Sequence, residues 1–184
     1  MKIERVKVYG LDESVKASGY PMSTDTTEVR YSDERAEKLA KAKPGTGHNC
    51  FLKGIVVQAD ITAPQYWWLQ YGRYHFADIV SSQSKMHRIT KMDIADQCNT
   101  HVDDRAIELL ESILERHNEG FDTFQRVVAN CPMGLELTAR VTSNYLQEKT
   151  IYQQRKNHKL EEWHYYCDWL ESLPYSGLIT AGVE

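Results

Sequence analysis

The chain has 184 residues, with 22 Lys and Arg against 26 Asp and Glu, a net charge of −4 and 41% hydrophobic residues. That length suits one domain able to bury a core without disulfide or metal staples, and the composition excludes a disordered chain. The charge excludes a general polycation that holds nucleic acid by charge alone, although not a local basic pocket for a phosphate. Ile3-Glu4-Arg5-Val6-Lys7-Val8-Tyr9 alternates apolar and charged residues and ends at Gly10, the pattern of a half-buried strand. Residues 11–31 are rich in Ser, Thr, Asp and Gly and read as loop or short irregular pieces. Ser32 can cap a helix that carries Asp33 and Glu34 in its first turn and Ala36, Leu39 and Ala40 as its apolar stripe, with Pro44-Gly45 stopping it.

Residues 51–61 are β-branched and apolar, as in a buried strand, and Pro64 then stands where the first turn of a helix tolerates it. The segment 65–76 gathers much of an aromatic complement that is biased to rings with polar handles, 11 Tyr and 4 Trp against 4 Phe. Asp103 or Asp104 opens an amphipathic helix to about His117, with Ile107, Leu110, Ile113 and Leu114 on one face, and Asn118-Glu119-Gly120 ends it. A second helix is expected over 121–130, a long one from Leu135 to Lys156, and another from Lys159 to Leu173, closed by Pro174. The last carries Leu160, Trp163, Tyr166, Cys167 and Leu170 at helical spacing, which is the pattern of core or interface packing. The tail 175–184 is small, polar and expected to be mobile. No repeat or linker divides residues 1–184, so the expected fold is a single α+β domain, helix-rich with a small antiparallel or mixed sheet.

No apolar run is long enough to span a membrane, and Met1-Lys2-Ile3-Glu4 does not open a signal peptide, so a cytoplasmic protein is expected. Cys50, Cys98, Cys131 and Cys167 contain no C-x-x-C pair, and Cys98 with His101 lacks the second half of a zinc site, so reduced thiols and no metal are expected.

Two stretches stand out when taken together. One holds Gly47-His48, the strand, Ala63-Pro64 and then Gln70-Tyr71-Gly72-Arg73-Tyr74-His75; the other holds Pro132, Asn144 and Arg155. Their spacing resembles that of the flavin-dependent thymidylate synthase (ThyX) family, over roughly 47–89 and 132–170. His48, Gln70 and Arg73 keep the family's register without a gap, as do Pro132, Asn144 and Arg155. The signature departs from the family's Arg-His-Arg, Ser, Ser, Arg: it reads Arg73-Tyr74-His75, Asp78, Gln83 and Lys85, and a slide of one residue would bring Ser84 to the second serine.

The resemblance implies a homotetramer with shared sites, in which FAD carries the redox step and methylenetetrahydrofolate supplies a methylene group to C5 of dUMP or a related uridine nucleotide, with NADPH as the reductant. It implies FAD contacts at His48, Arg73, Tyr74, His75 and Asn144, and nucleotide contacts at Gln70, Gln83, Ser84, Lys85 and Arg155. Arginine suits such work because its planar fork pairs with phosphate or an anionic pyrimidine edge through parallel bonds. Tyr74 and His75 leave the pocket with less positive charge than the family's. Two alternatives stay open: a nucleotide-binding protein of the same fold without flavin chemistry, and a structural oligomer whose aromatic helix is an interface. Arg73 among Tyr66, Trp67, Trp68, Tyr71 and Tyr74 suits either ligand binding or stacking at a subunit contact. Single-stranded nucleic acid on Lys85, His87, Arg88 and Lys91 is a more distant reading, disfavoured by the negative charge.

Overall fold

The computed structural model describes residues 1–43 and 45–182; Pro44, Val183 and Glu184 lie outside the described residues. Its strands are β1 (Lys2–Tyr9), β2 (Val56–Pro64), β3 (Asp78–Ser82) and β4 (Glu136–Asn144), joined in one antiparallel sheet of order β1-β2-β4-β3. The central pair runs in unbroken register from Val56↔Asn144 to Pro64↔Glu136. Alternation sets its two faces: Val57, Ala59, Ile61 and Ala63 of β2, with Ala139, Val141 and Ser143 of β4, are buried on one side. Gln58, Asp60, Thr62, Arg140 and Thr142 line the other, where Asp60 pairs with Arg5 and Arg140.

The helices are α1 (Leu11–Ala17), α2 (Asp33–Ala40), α3 (Gln65–Tyr71), α4 (Lys85–Arg88), α5 (Ile94–Gln97), α6 (Asp104–Asn118), α7 (Phe124–Ala129), α8 (Tyr145–Arg155), α9 (Glu161–Glu171) and α10 (Gly177–Thr180). Two of their starts are caps read from the sequence. Ser32 accepts the Arg35 N–H at α2, and Asp103 accepts the Arg105 N–H at α6. The buried face of the sheet packs with Trp67, Tyr71, Ile151, Trp163, Tyr166 and Leu170 into the main core. A second, smaller core of Ile89, Ile94, Leu110, Ile113, Leu114 and Val127 belongs wholly to the helical lobe between β3 and β4.

Four expectations change. The long helix from Leu135 to Lys156 is instead β4 followed by α8: cross-strand pairing along all of β2 outweighs the helix propensity of Leu137, Ala139 and Arg140. Residues 11–31 are not all irregular, because α1 starts directly after Gly10, whose left-handed φ of 67° turns the chain out of β1. A Cβ there would stand 2.6 Å from the Gly54 carbonyl oxygen, so the turn also needs the missing side chain. The strand expected over 51–61 begins only at Val56, since Cys50–Gly54 form a 3₁₀ turn. The tail is not a free end through its described part: α10 buries Leu178 and Ile179 among the main core residues. The helix expected over 121–130 is present in shorter form as α7, while β3, α4 and α5 had no expectation behind them. Among the described residues no helix is long and apolar enough to cross a membrane.

Candidate functional site

β2 feeds α3 and β4 feeds α8, so the antiparallel pair launches two helices from opposite ends of the sheet. Their C-terminal ends meet, and Gln70 near the end of α3 faces Arg155 at the end of α8. The Arg155 Nη1 donates to Gln70 Oε1 at 3.0 Å, and the indole Nε1 of Trp163 on α9 donates to the same oxygen at 2.9 Å. Both donors lack any acceptor atom, which fixes the amide orientation: its oxygen faces them and its NH2 group is turned away. Arg155 Nε donates to the Tyr74 hydroxyl at 2.6 Å, and that hydroxyl donates on to Gln154 Oε1 at 3.1 Å. The guanidinium carbon lies 4.6 Å from the centre of the Trp163 ring and 5.5 Å from that of Tyr74.

No carboxylate pairs with Arg155 among the described residues. Its partners are an amide, a phenol and an indole, so its charge is oriented without being neutralised. His158 stands in the same corner and is held toward its neutral form. Its Nδ1 accepts the Leu160 N–H at 3.1 Å, and its titration is held below the ordinary value by burial first and then by Arg155, His164 and Lys159. Beneath the cluster Glu148 of α8 is fully buried, accepting from the Ser143 hydroxyl and, at 2.9 Å, from the Tyr166 hydroxyl. Burial pushes its carboxyl up to about 7, against which the two hydrogen bonds act more weakly.

The other candidates fall elsewhere. Arg73 and His75 sit exposed in the turn after α3, flanking Tyr74. Gln83 leaves β3 with its Oε1 on the Thr138 N–H at 2.8 Å, while the Ser84 hydroxyl lies 3.0 Å from His87 Nδ1. The Lys85 ammonium donates to Gln65 Oε1 at the start of α3. Gln65 and Gln70 stand five positions apart on one helix, about 140° around its axis, so the Lys85 group and the Arg155 group occupy different sides of α3. Between α3 and the β3–β4 edge is a cleft of about 250 Å³, lined by Trp68, Leu69, Ile79 and Leu137 with Gln65 and Gln83 at its rim. Asn144 begins α8, where its Oδ1 accepts the Gln147 N–H at 3.0 Å. His48 is exposed and lines a groove with Arg35, Leu39 and Phe51.

One chain therefore assembles Gln70, Tyr74 and Arg155, while Gln83, Ser84 and Lys85, and then Asn144 and His48, stand apart. Trp163 was read from the sequence as core or interface packing. It is fully buried, yet one ring face and its N–H belong to the Arg155 cluster. The available signal was its place just beyond the basic run Arg155-Lys156-Asn157-His158-Lys159, where an indole can flank a guanidinium.

No protein-family model and no curated protein sequence matches the chain. Solved structures do. The flavin-dependent thymidylate synthase ThyX from Helicobacter pylori, complexed with FAD and dUMP, matches with a TM-score of 0.79 over 100% of both chains at 12% identity. A second structure of that ThyX with FAD and dUMP gives 0.77 over 98% of this chain and 97% of that one, again at 12% identity. PolB from Streptomyces cacaoi, a UMP/dUMP methylase bound with 5-Br dUMP, gives 0.69 over 97% of this chain and 94% of its own at 12% identity. At such identity the likeness is one of fold: the chain is a single α+β domain of ThyX architecture, as its residue spacing led us to expect.

Proposed function

We propose that the chain binds a uracil-type nucleotide at Arg155 and Gln70 and, as a divergent relative of the ThyX and PolB methylases, transfers a methyl group to C5 of the base. The observation that carries this reading is a fixed guanidinium with no acidic partner. Arg155 Nη2 and the Gln70 NH2 have no hydrogen-bond partner among the described residues, and both are donors. A site that offers only donors suits ligand edges that offer only acceptors: a phosphate, or the carbonyl oxygens of uracil with N3 ionised. Cytosine presents an amino donor in place of one of those carbonyls and would leave donor facing donor.

Toward FAD the chain offers donors and a cation that is in no ion pair among the described residues. That cation is Arg73, and His75, His48 and the Asn144 Nδ2 would accompany it. When bound, FAD supplies the hydride for the transfer, with methylenetetrahydrofolate as carbon donor and NADPH as reductant. The chain's own part is to orient the base through Gln70 and Arg155 and to hold negative charge on the pyrimidine as C5 reacts. Because Lys85 and Gln83 stand on another side of α3, this reading has several copies of the chain completing each site, as a homotetramer. The exposed β3, with Ile79 and Val80 at its surface, supports that assembly. A second reading, a nucleotide-binding protein without flavin, is favoured by one observation: the Tyr74 hydroxyl is already committed to Arg155 and Gln154.

Calorimetry with dUMP, UMP and dCMP tests the nucleotide reading. Uracil nucleotides should bind in preference to dCMP, and Arg155→Ala should weaken them on the order of ten- to hundredfold, as for a charge-assisted contact. Equal binding by wild type and Arg155→Ala would remove Arg155 from the site. Addition of FAD separates the two readings: visible flavin absorption retained through gel filtration supports the enzyme, and its loss with nucleotide binding intact supports the second.

A further inference from the structure

Tyr74 stands in the middle of Arg73-Tyr74-His75, the segment assigned above to flavin, yet its hydroxyl faces the other way. Three features define its position. It accepts from Arg155 Nε at 2.6 Å, donates to Gln154 Oε1 at 3.1 Å, and lays its ring 5.5 Å from the guanidinium carbon. The ring in turn meets Trp163 edge-on, with centroids 6.1 Å apart and planes at 75°. Its backbone N–H closes the turn after α3 on the Tyr71 carbonyl at 3.0 Å, so the phenol is held at both its root and its tip.

We propose that Tyr74 is a positioning residue for Arg155, resting on the nucleotide reading above, and that it sets the direction in which the free edge of the guanidinium points. An arginine has five N–H donors in one plane, and fixing two of them on separate elements removes the rotations about its last side-chain bonds. Here Gln70 on α3 takes Nη1 and Tyr74 takes Nε, while the Trp163 face restricts motion out of the plane. The three remaining N–H donors, two on Nη2 and one on Nη1, are thereby aimed before any ligand arrives, which lowers the ordering cost of binding. A hydroxyl at position 74 is required because it must accept from an arginine and donate to Gln154 at once. Phenylalanine keeps the ring and loses both bonds, and a protonated histidine would repel the guanidinium.

The test is a double-mutant cycle on the full chain with dUMP as the probe in calorimetry, beside NMR of the Arg155 Nε–H. In wild type that proton should give a resolved, slowly exchanging signal without ligand. Tyr74→Phe should abolish it, weaken dUMP roughly tenfold and leave the melting temperature of the free protein unchanged. In an Arg155→Lys background, where no Nε–H remains to be held, Tyr74→Phe should change dUMP affinity less than twofold. Additive effects, or an unchanged Nε–H signal in Tyr74→Phe, overturn the proposal. If wild type shows the held signal but binds neither dUMP nor UMP, the nucleotide reading fails and the positioning of Arg155 by Tyr74 stands.

Discussion

Glu148 carries the chemistry most sensitive to pH. An ionised carboxylate in a core needs more than two hydroxyl donors, so the group holds its proton up to about 7, against an ordinary 4.5. The folded state therefore binds more protons than the unfolded chain between those values. Its contribution to stability is fully present below 4.5 and is lost as the pH rises through about 7. At about 1.4 kcal/mol per pH unit that gap comes to roughly 3 kcal/mol. Glu148→Gln keeps the shape and both neighbours, so chemical denaturation should show a flatter stability profile from pH 5 to 8, with the variant no weaker than wild type at pH 8. A profile parallel to wild type would mean that the carboxyl ionises elsewhere than in this core. Nothing in the sequence marked Glu148: buried and exposed glutamates look alike until the helix face they share with Tyr145 and Ile151 is known. Gln70 and Arg155 were legible through their register, but the partners that orient Arg155 were not, since a Tyr and a Trp from two other segments must first be brought beside it.

At the scale of elements, the informative error is the segment 135–156. Leu137, Ala139 and Arg140 favour a helix while Thr138, Val141 and Thr142 suit a strand, and the pairing of Glu136–Asn144 along β2 decides for the strand. That pairing joins residues far apart in sequence, so no local window contains it. The strand–helix boundary falls on Asn144, which is extended, with φ −135° and ψ 162°, and closes the first turn of α8 on the Gln147 N–H. Asn144→Ala should cost about 1 kcal/mol in thermal or denaturant unfolding, typical of a lost cap. A destabilisation near zero would show that the cap is replaceable by solvent. By contrast α2 and α6 were legible because their caps and apolar stripes are local, α9 because of its stripe and the proline that closes it, and β1 because alternation needs only a few residues.

The molecule as a whole is a sheet with helices on one face and a lobe spliced between its third and fourth strands. The aromatic surplus is divided by this plan: Trp67, Tyr71, Trp163 and Tyr166 fill the core, while Tyr74 and one face of Trp163 are spent on Arg155. The lobe also bears on the order of folding. β3 and β4 are neighbours in the sheet, yet the whole lobe separates them in the chain, and their pairing must close that loop. The contacts of the lobe core lie within its own stretch of chain, so it can consolidate first and deliver the two strand ends already near each other. Leu110→Ala should on this account slow refolding in stopped-flow more than it speeds unfolding; the reverse would mean that the lobe docks late. The insertion then serves as a scaffold for its own host, spending its stability early so that the outer strand finds its register.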